Sequence, residues 1–556
     1  MRQKHSTPLN TSTVSMIKKT ITLAVMTALM LPANAQMDNV VEVETNYRPT
    51  VKDADKINVV PKAVESTVRH YNVDYSSKAF TTDQYVFQPM WAQQNQQLLR
   101  PEDKYFATFG YGTEGNVYGR FAGEYDINRN NALRLDYSTQ GHNTENTSQF
   151  QHLTGFSQWR SRFYTNRANL SYIHRFGNNA ELTVSGGYGS DVFNYQPYYP
   201  KAIIPTTTDK QHNTLYNADV SLTPYSFGKF AIGAEASYKY FAQKAGPNEE
   251  RLVTAELTPE YDLGNGMAID LELGFDHAHY GMGFAEGYTS YDATPHFRYQ
   301  TDAIDLSAGV YVNKELEVAP DVEFTYHASP RFDIYLNAQG GETRQNMRTF
   351  SSMSPYFRFS ELNEIELDNS FDQLQALGGV RWNPLDGLYI DLSAGYDIRE
   401  NVAEIANPPF DYQFVYNPIT FADHKRLHAH ADIDWLWRDR IRVNLKNTYN
   451  RYDWDDDLTY VWRPVIDANW NISARLIDQL RLGIDFTYQT FDDTDEAGKH
   501  YDRPNTIDLG ASLTYTFPFH LTLYAKGNNL LGRDYRQYQL YPALDRNFLF
   551  GAAITF

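Results

Sequence analysis

The sequence predicts an all-β fold: a transmembrane antiparallel β-barrel of about 22 strands with both termini on the periplasmic side. Three observations carry that reading. From Lys104 to Phe556, apolar and polar residues alternate with period two over segments of roughly ten residues. Short turns and long connections alternate along the chain, as they do in outer-membrane barrels. Finally, 15% of the 556 residues are aromatic, 42 of them Tyr, yet the chain is polar on average. Disordered chains are poor in aromatics. A polar chain meets lipid only if its polarity is confined to one face of each strand.

The elements follow in chain order. Residues 1–35 carry Arg2, Lys4, Lys18 and Lys19 and no acid, then an apolar run Thr20–Leu31, then Pro32 and Ala33-Asn34-Ala35. This is the pattern of a cleavable secretory signal, with Met16 as an alternative start. No later run approaches the ~18 consecutive apolar residues of a membrane helix. Residues 36–103 form a periplasmic or lumenal amino-terminal segment, and residues 104–556 form the barrel.

Within the barrel, Ile269, Leu271, Leu273 and Phe275 share one face, while Asp270 and Glu272 share the other. Leu388, Ile390, Leu392, Ala394, Tyr396 and Ile398 oppose Tyr389, Asp391, Ser393, Gly395 and Asp397. Ten short turns are rich in Gly, Pro, Asn and Asp: Asn128–Asn131, Gly177–Asn179, Tyr225–Lys229, Leu263–Gly266, Gln300–Ala303, Ala328–Arg331, Asn383–Gly387, Arg438–Arg440, Ala474–Asp478 and Phe517–Phe519. Long connections, read as irregular, separate them; Gln140–Arg162, Glu342–Ser370 and Arg399–Asp423 are the largest. Ten hairpins plus a first strand Lys104–Tyr111 and a last strand Asp545–Phe556 give 22. Gly110-x-Gly112-x-x-Gly115 has the letters of a dinucleotide fingerprint but no helix after it, so it is read as a turn between the first two strands.

Composition excludes several classes. A net charge of −19 argues against nucleic-acid binding. Zero cysteine removes disulfides, thiolate metal sites and cysteine nucleophiles. No Gly-x-Ser-x-Gly or His-Glu-x-x-His motif is present, so an enzyme is not expected and no cofactor is assigned. Trp435, Trp437, Trp454, Trp462 and Trp470 are placed at strand ends, where interfacial aromatics belong.

The carboxy-terminal stretch carries a resemblance. Leu521-Thr522-Leu523-Tyr524-Ala525-Lys526-Gly527-Asn528-Asn529-Leu530-Leu531-Gly532-Arg533-Asp534-Tyr535 resembles the penultimate strand and Asn-Leu-Phe loop of the TonB-dependent receptors in their Bacteroidota form. Tyr541-Pro542-Ala543-Leu544-Asp545-Arg546 resembles the approach to that family's last strand, with Asp545 where Gly is usual. The final strand, ending at Phe556, resembles the signal read by the outer-membrane insertion machinery. The resemblance implies solute uptake across the outer membrane. It also implies a plug domain, of which Gln36–Asp103 would be a truncated form, opening at Val40–Val43 and Tyr47-Arg48-Pro49. No TonB box is visible there.

Candidate site residues come from strand parity and loop composition. His428, His430, Asp432 and Asp434 face the lumen, as do Asp270, Glu272, Asp391 and Asp397. An acidic lumen implies cation preference if the barrel conducts. His-x-His with a carboxylate is a Zn²⁺ pattern, but a hydrated lumen wall explains the same residues. His277 and His279 continue the lipid-facing row. Asp453, Asp455, Asp456, Asp457, Asp492, Asp493, Asp495 and Glu496 fill two acidic loops, suited to Ca²⁺ or to ion bridges with lipopolysaccharide. Tyr195, Tyr198 and Tyr199, stiffened by Pro197 and Pro200, are candidate loop contacts for a ligand.

The expected partners are outer-membrane lipid, lipopolysaccharide and the insertion machinery, with a periplasmic or lipoprotein partner as a further possibility and no nucleic acid. The expected function is solute uptake or passage. The alternative is a non-transporting scaffold that anchors surface or periplasmic proteins.

Overall fold

The computed structural model describes residues 104–147, 158–177, 180–196, 210–244, 248–281, 287–357, 367, 369–405, 419–455, 463–492, 504–538 and 541–556. The predicted signal (1–35), the segment 36–103, Trp462, Tyr198, Tyr199 and the acidic residues Asp456, Asp457, Asp493, Asp495 and Glu496 lie outside these residues.

The strands are β1 (Tyr105–Gly112), β2 (Val117–Asn128), β3 (Asn131–Thr147), β4 (Gln158–Arg175), β5 (Glu181–Asn194), β6 (Lys210–Phe227), β7 (Phe230–Gln243), β8 (Asn248–Gly264), β9 (Met267–Tyr280), β10 (Tyr288–Gln300), β11 (Ile304–Asn313) and β12 (Val318–Ser329). They continue as β13 (Phe332–Thr343), β14 (Ser370–Leu385), β15 (Leu388–Ile405), β16 (Ile419–Trp437), β17 (Ile441–Trp454), β18 (Pro464–Arg475), β19 (Leu480–Phe491), β20 (Thr506–Thr516), β21 (Leu521–Asn528), β22 (Arg536–Tyr538), β23 (Tyr541–Pro542) and β24 (Asn547–Thr555). One short helix, α1 (Met347–Met353), lies between β13 and β14.

All but β22 and β23 form a single 22-stranded antiparallel sheet. Each strand pairs with its neighbours in the chain, β21 pairs with β24, and β24 pairs with β1. The sheet therefore closes on itself and leaves no edge. Each short turn predicted from the sequence lies at the junction of two of these strands, with Asn178 and Asn179 of the Gly177–Asn179 turn outside the described residues. Among the described residues no helix is long and apolar enough to cross a membrane.

Closure depends on local fit. Phe109, Phe548, Phe550 and Ile554 point outward at the seam. Gly110 and Gly551 lie opposite each other in the ladder, and a Cβ on either would strike the Tyr524 ring hydroxyl, at 2.7 and 2.3 Å. Tyr524 occupies that space, its hydroxyl 3.1 Å from Thr108 Oγ1. The Gly110–Gly115 stretch ends β1 and turns through a short 3-10 segment, in which Glu114 and Gly115 take φ of 58° and 60°. It is a turn, as its sequence context implies.

The outward face is apolar and aromatic. Leu170, Val220, Val253, Leu257, Ile269, Phe275, Leu336, Leu392, Leu427 and Leu513 are all exposed there. Aromatic pairs collect at the short-turn end: Phe176 on Tyr225, Phe227 on Phe230, Trp435 beside Trp437 and Phe517 on Phe519. Trp470 departs from the expected end positions, whereas Trp454 ends β17 as expected but is buried. Trp470 sits mid-strand, opposite Leu445 and Phe486, and donates to Asn447 Oδ1 at 2.9 Å. Trp454 is buried against His424 and Tyr452.

The connections expected to be irregular are partly strand. β3 and β4 pair out to Thr147 and Gln158, and β15 and β16 out to Ile405 and Ile419. Beyond the lipid a ladder needs no apolar face, so period two fades while pairing continues. Gly141-His142-Asn143-Thr144-Glu145-Asn146 shows this directly.

Candidate functional site: the lumen and its mouth

Parity puts the predicted lumen residues on the inner face, and strand register decides which of them meet. Asp397 lies opposite Arg426, one inward position from His428. Arg426 donates to Asp397 Oδ2 at 2.7 Å, and His428 Nε2 lies 3.3 Å from Asp397 Oδ1. His428 Nδ1 and His430 Nε2 are 2.8 Å apart, one ring nitrogen donating to the other. His430 Nδ1 contacts Thr448 Oγ1 at 3.0 Å. The two histidines thus share one chain of hydrogen bonds with Asp397. Among the described residues no group of three or more His, Asp or Glu side chains is placed to hold a metal ion.

The remaining predicted acids divide into paired and unpaired. Asp434 takes two hydrogen bonds from Arg442, one at 3.0 Å. Asp391 accepts from Tyr335 Oη at 2.7 Å and Tyr389 Oη at 3.2 Å, beside Arg381. Asp270 lies 3.1 Å from His296 Nδ1 and 2.6 Å from Arg298 Nε. Asp432 faces Lys446 across the ladder on one side and Asp391 on the other. Among the described residues Glu272 has no such partner, and the charges of Glu256, His296, Asp321 and Asp292 act on it. The wall from β8 to β12 thus mixes acids held by His296 and Arg298 with Glu272, which is held by neither. His277 and His279 are exposed on the outer face, as parity implies. Tyr195 is buried with its ring edge-on to Phe193.

The largest feature that alternation does not reveal lies inside the barrel at the long-loop end. The segment after β13 turns inward instead of outward, and α1 buries Met347, Phe350 and Met353 against the wall. Their partners are inner-face residues from widely separated strands: Leu215, Phe241, Leu252, Ala278, Ala403 and Ile419. Asn346 caps the helix, accepting from Thr349 N at 2.9 Å. Glu250, fully buried, accepts from Met347 N, and the carboxylate suits the positive end of the helix. Gln243 donates to Phe357 O at 3.0 Å and Asn213 donates to Ser351 at 3.3 Å.

Beyond α1 the segment reaches the opposite wall. Tyr356 stacks on Tyr541 with ring centres 3.5 Å apart and also contacts Phe163, Phe193 and Tyr538. Burial holds the Tyr356 phenol well above its ordinary pKa. One connection thus bridges β4, β5, the β22–β23 hairpin, β6–β9, β15 and β16. The sequence held a signal for it: Met347, Phe350 and Met353 recur every third residue, a helical spacing inside a period-two chain.

The stretch that carries the family resemblance has a local structural reason. Asn529 takes a positive φ of 47°. Its side chain donates to Arg533 O and Leu544 O and accepts from Arg533 N, each at 3.0 Å. Asp508 on the neighbouring strand accepts from Asn529 N at 3.0 Å and from Tyr535 Oη at 2.6 Å. These residues tie the last long connection to the barrel.

Comparison with known proteins places this architecture. No protein-family model and no curated protein sequence matches the chain. Solved structures do match. The FrpB iron transporter of Neisseria meningitidis aligns over 83% of each chain with a TM-score of 0.61 and 12% identity. The ferric enterobactin receptor PfeA of Pseudomonas aeruginosa aligns over 82% of this chain and 80% of its own, with a TM-score of 0.60 and 10% identity. The siderophore receptor PiuA of Acinetobacter baumannii aligns over 82% of each, with a TM-score of 0.59 and 12% identity. The chain shares the fold of these proteins, and its own barrel is a closed 22-stranded antiparallel sheet.

Proposed function

We propose that this chain is an outer-membrane barrel that takes up a solute, entering from the long-loop side and leaving at the short-turn side. The supporting observation is the division of the wall: an apolar aromatic exterior encloses a charged, hydrogen-bonded lumen. Likeness in fold to an iron transporter and two siderophore receptors supports a receptor-type role. In this reading residues 1–35 are an export signal and residues 36–103 a reduced plug, both termini face the periplasm, and the strand ending at Phe556 engages the insertion machinery. The barrel performs no catalysis.

Packing of α1 inside the barrel supports a gated passage. Proteoliposome swelling tests this. A variant lacking both 36–103 and 344–357 should admit small solutes, and one lacking only 36–103 should admit far less. Failure of the doubly deleted barrel, correctly inserted, to pass any solute would overturn uptake. The packing of α1 inside the barrel also favours the alternative, a barrel that only anchors partners. A stoichiometric surface lipoprotein or periplasmic protein recovered with the full chain would support that alternative.

A further inference from the structure

Two ring nitrogens on the inner face of β16 face each other across a short gap. His428 Nδ1 and His430 Nε2 stand 2.8 Å apart. The other nitrogen of each ring is anchored elsewhere. His428 Nε2 lies 3.3 Å from Asp397 Oδ1, and Asp397 is itself held by Arg426 at 2.7 Å. His430 Nδ1 lies 3.0 Å from Thr448 Oγ1 on β17. Gly395, opposite His428 in the ladder, makes room for the ring, because a Cβ there would fall 2.5 Å from His428 Nε2. His428 is buried and His430 is partly exposed.

The anchors fix where the ring protons sit. Asp397 only accepts, so His428 carries its proton on Nε2 and offers the Nδ1 lone pair. Two arrangements then satisfy His430. With its proton on Nε2 it donates to His428 and accepts from the Thr448 hydroxyl. With its proton on Nδ1 it donates to Thr448 instead, and two lone pairs face one gap. The second arrangement calls for a cation in the gap. It releases no proton, because the ring proton moves from one nitrogen of His430 to the other.

The gap has the width that a metal ion requires. A Zn²⁺–imidazole bond is about 2.0–2.1 Å. At that length two nitrogens at a right angle stand about 2.9 Å apart, and at the tetrahedral angle about 3.3 Å apart. The observed spacing matches the right angle, which is the tetragonal preference of Cu²⁺, and Cu²⁺ also binds nitrogen sites most strongly among the divalent first-row ions. A ring that gives its other N–H to a carboxylate is the usual posture of a metal-binding histidine. Among the described residues no third His, Asp or Glu completes a set, so water fills the remaining positions.

We propose that His428 Nδ1 and His430 Nε2 form a two-nitrogen binding site for Cu²⁺ in the barrel wall, with Asp397 and Thr448 as its positioning residues. The site goes beyond the uptake reading and does not depend on it.

The test is titration of the full chain, in detergent and without an affinity tag, with Cu²⁺, followed by electron paramagnetic resonance at one equivalent. Wild type should bind with a Kd of about 10 μM or tighter and show two equatorial ring nitrogens. His430→Gln should show one, and bind at least about tenfold more weakly, a loss of about 1.4 kcal/mol. Thr448→Val should keep both nitrogens and bind about tenfold more weakly, a split that a merely structural role would not produce. His277 and His279 have the same spacing and are exposed on the outer face. The double variant His277→Gln/His279→Gln should therefore leave the affinity and the two-nitrogen spectrum unchanged. A wild-type spectrum without two ring nitrogens overturns the site before any variant is made. So does binding that survives His430→Gln undiminished, or binding that is lost in the outer-face double variant.

Discussion

The two ends of this barrel handle charge in opposite ways. At the long-loop end ion pairs are buried: Arg399 with Asp372 leaves side-chain exposures of 4% and 3%, and Arg463 with Glu404 leaves 7% and 3%. At the short-turn end they are wet: Lys104 with Asp126 leaves 55% and 40%, and Arg134 with Glu124 leaves 56% and 26%. The chemistry of the pairs is the same. What differs is the inward-folded segment, which removes water from one end and not from the other. Among the described residues, ion pairs are thus dry beside the inward-folded segment and wet near the short turns.

Three substitutions test that contrast, the largest effect first. Arg399→Met leaves Asp372 buried and unpaired at the sealed end and should cost about 3–5 kcal/mol. Urea unfolding of the detergent-solubilised barrel measures it, and a loss under about 1 kcal/mol would remove the distinction between the ends. Phe350→Ala opens a cavity under α1 and should cost about 3–5 kcal/mol of docking energy. Its signature is local: protease cleavage between residues 344 and 357 should rise sharply while the 22-strand ladder stays folded. Equal protection of wild type and variant would mean that α1 is not held by this packing. Arg134→Met at the wet end should change stability by less than about 1 kcal/mol and lose even that in high salt.

Sequence reasoning reached the ladder and missed the mouth, for physical reasons. Lipid on one side and water on the other impose alternation, so Ile269 and Asp270 reveal their faces without any structure. Turn chemistry does the same for segments such as Asn383–Gly387, where Gly387 takes a φ of 81°. Parity also put His428, His430 and Asp397 on one face, but their meeting required the β15–β16 register, which no local pattern encodes. The mouth obeys neither rule. Residues 344–357 pack against seven or more strands drawn from all round the barrel, contacts set by closure of the whole ring rather than by neighbours in the chain.

The seam between β1 and β24 has a consequence for how the molecule is made. Tyr105 and Phe556 exchange backbone hydrogen bonds at 2.9 and 3.0 Å and stack their rings 5.3 Å apart. Until β24 has been synthesised, β1 presents an unpaired edge, and every strand added in between moves that edge no closer to a partner. Loop closure over so long a span is slow and entropically costly. Completion is therefore a late step, and a chain arrested before it is open along one side, with its apolar exterior and unpaired backbone available to any other unfinished strand. Assembly of this barrel calls for a helper that holds the first edge while it waits for the last.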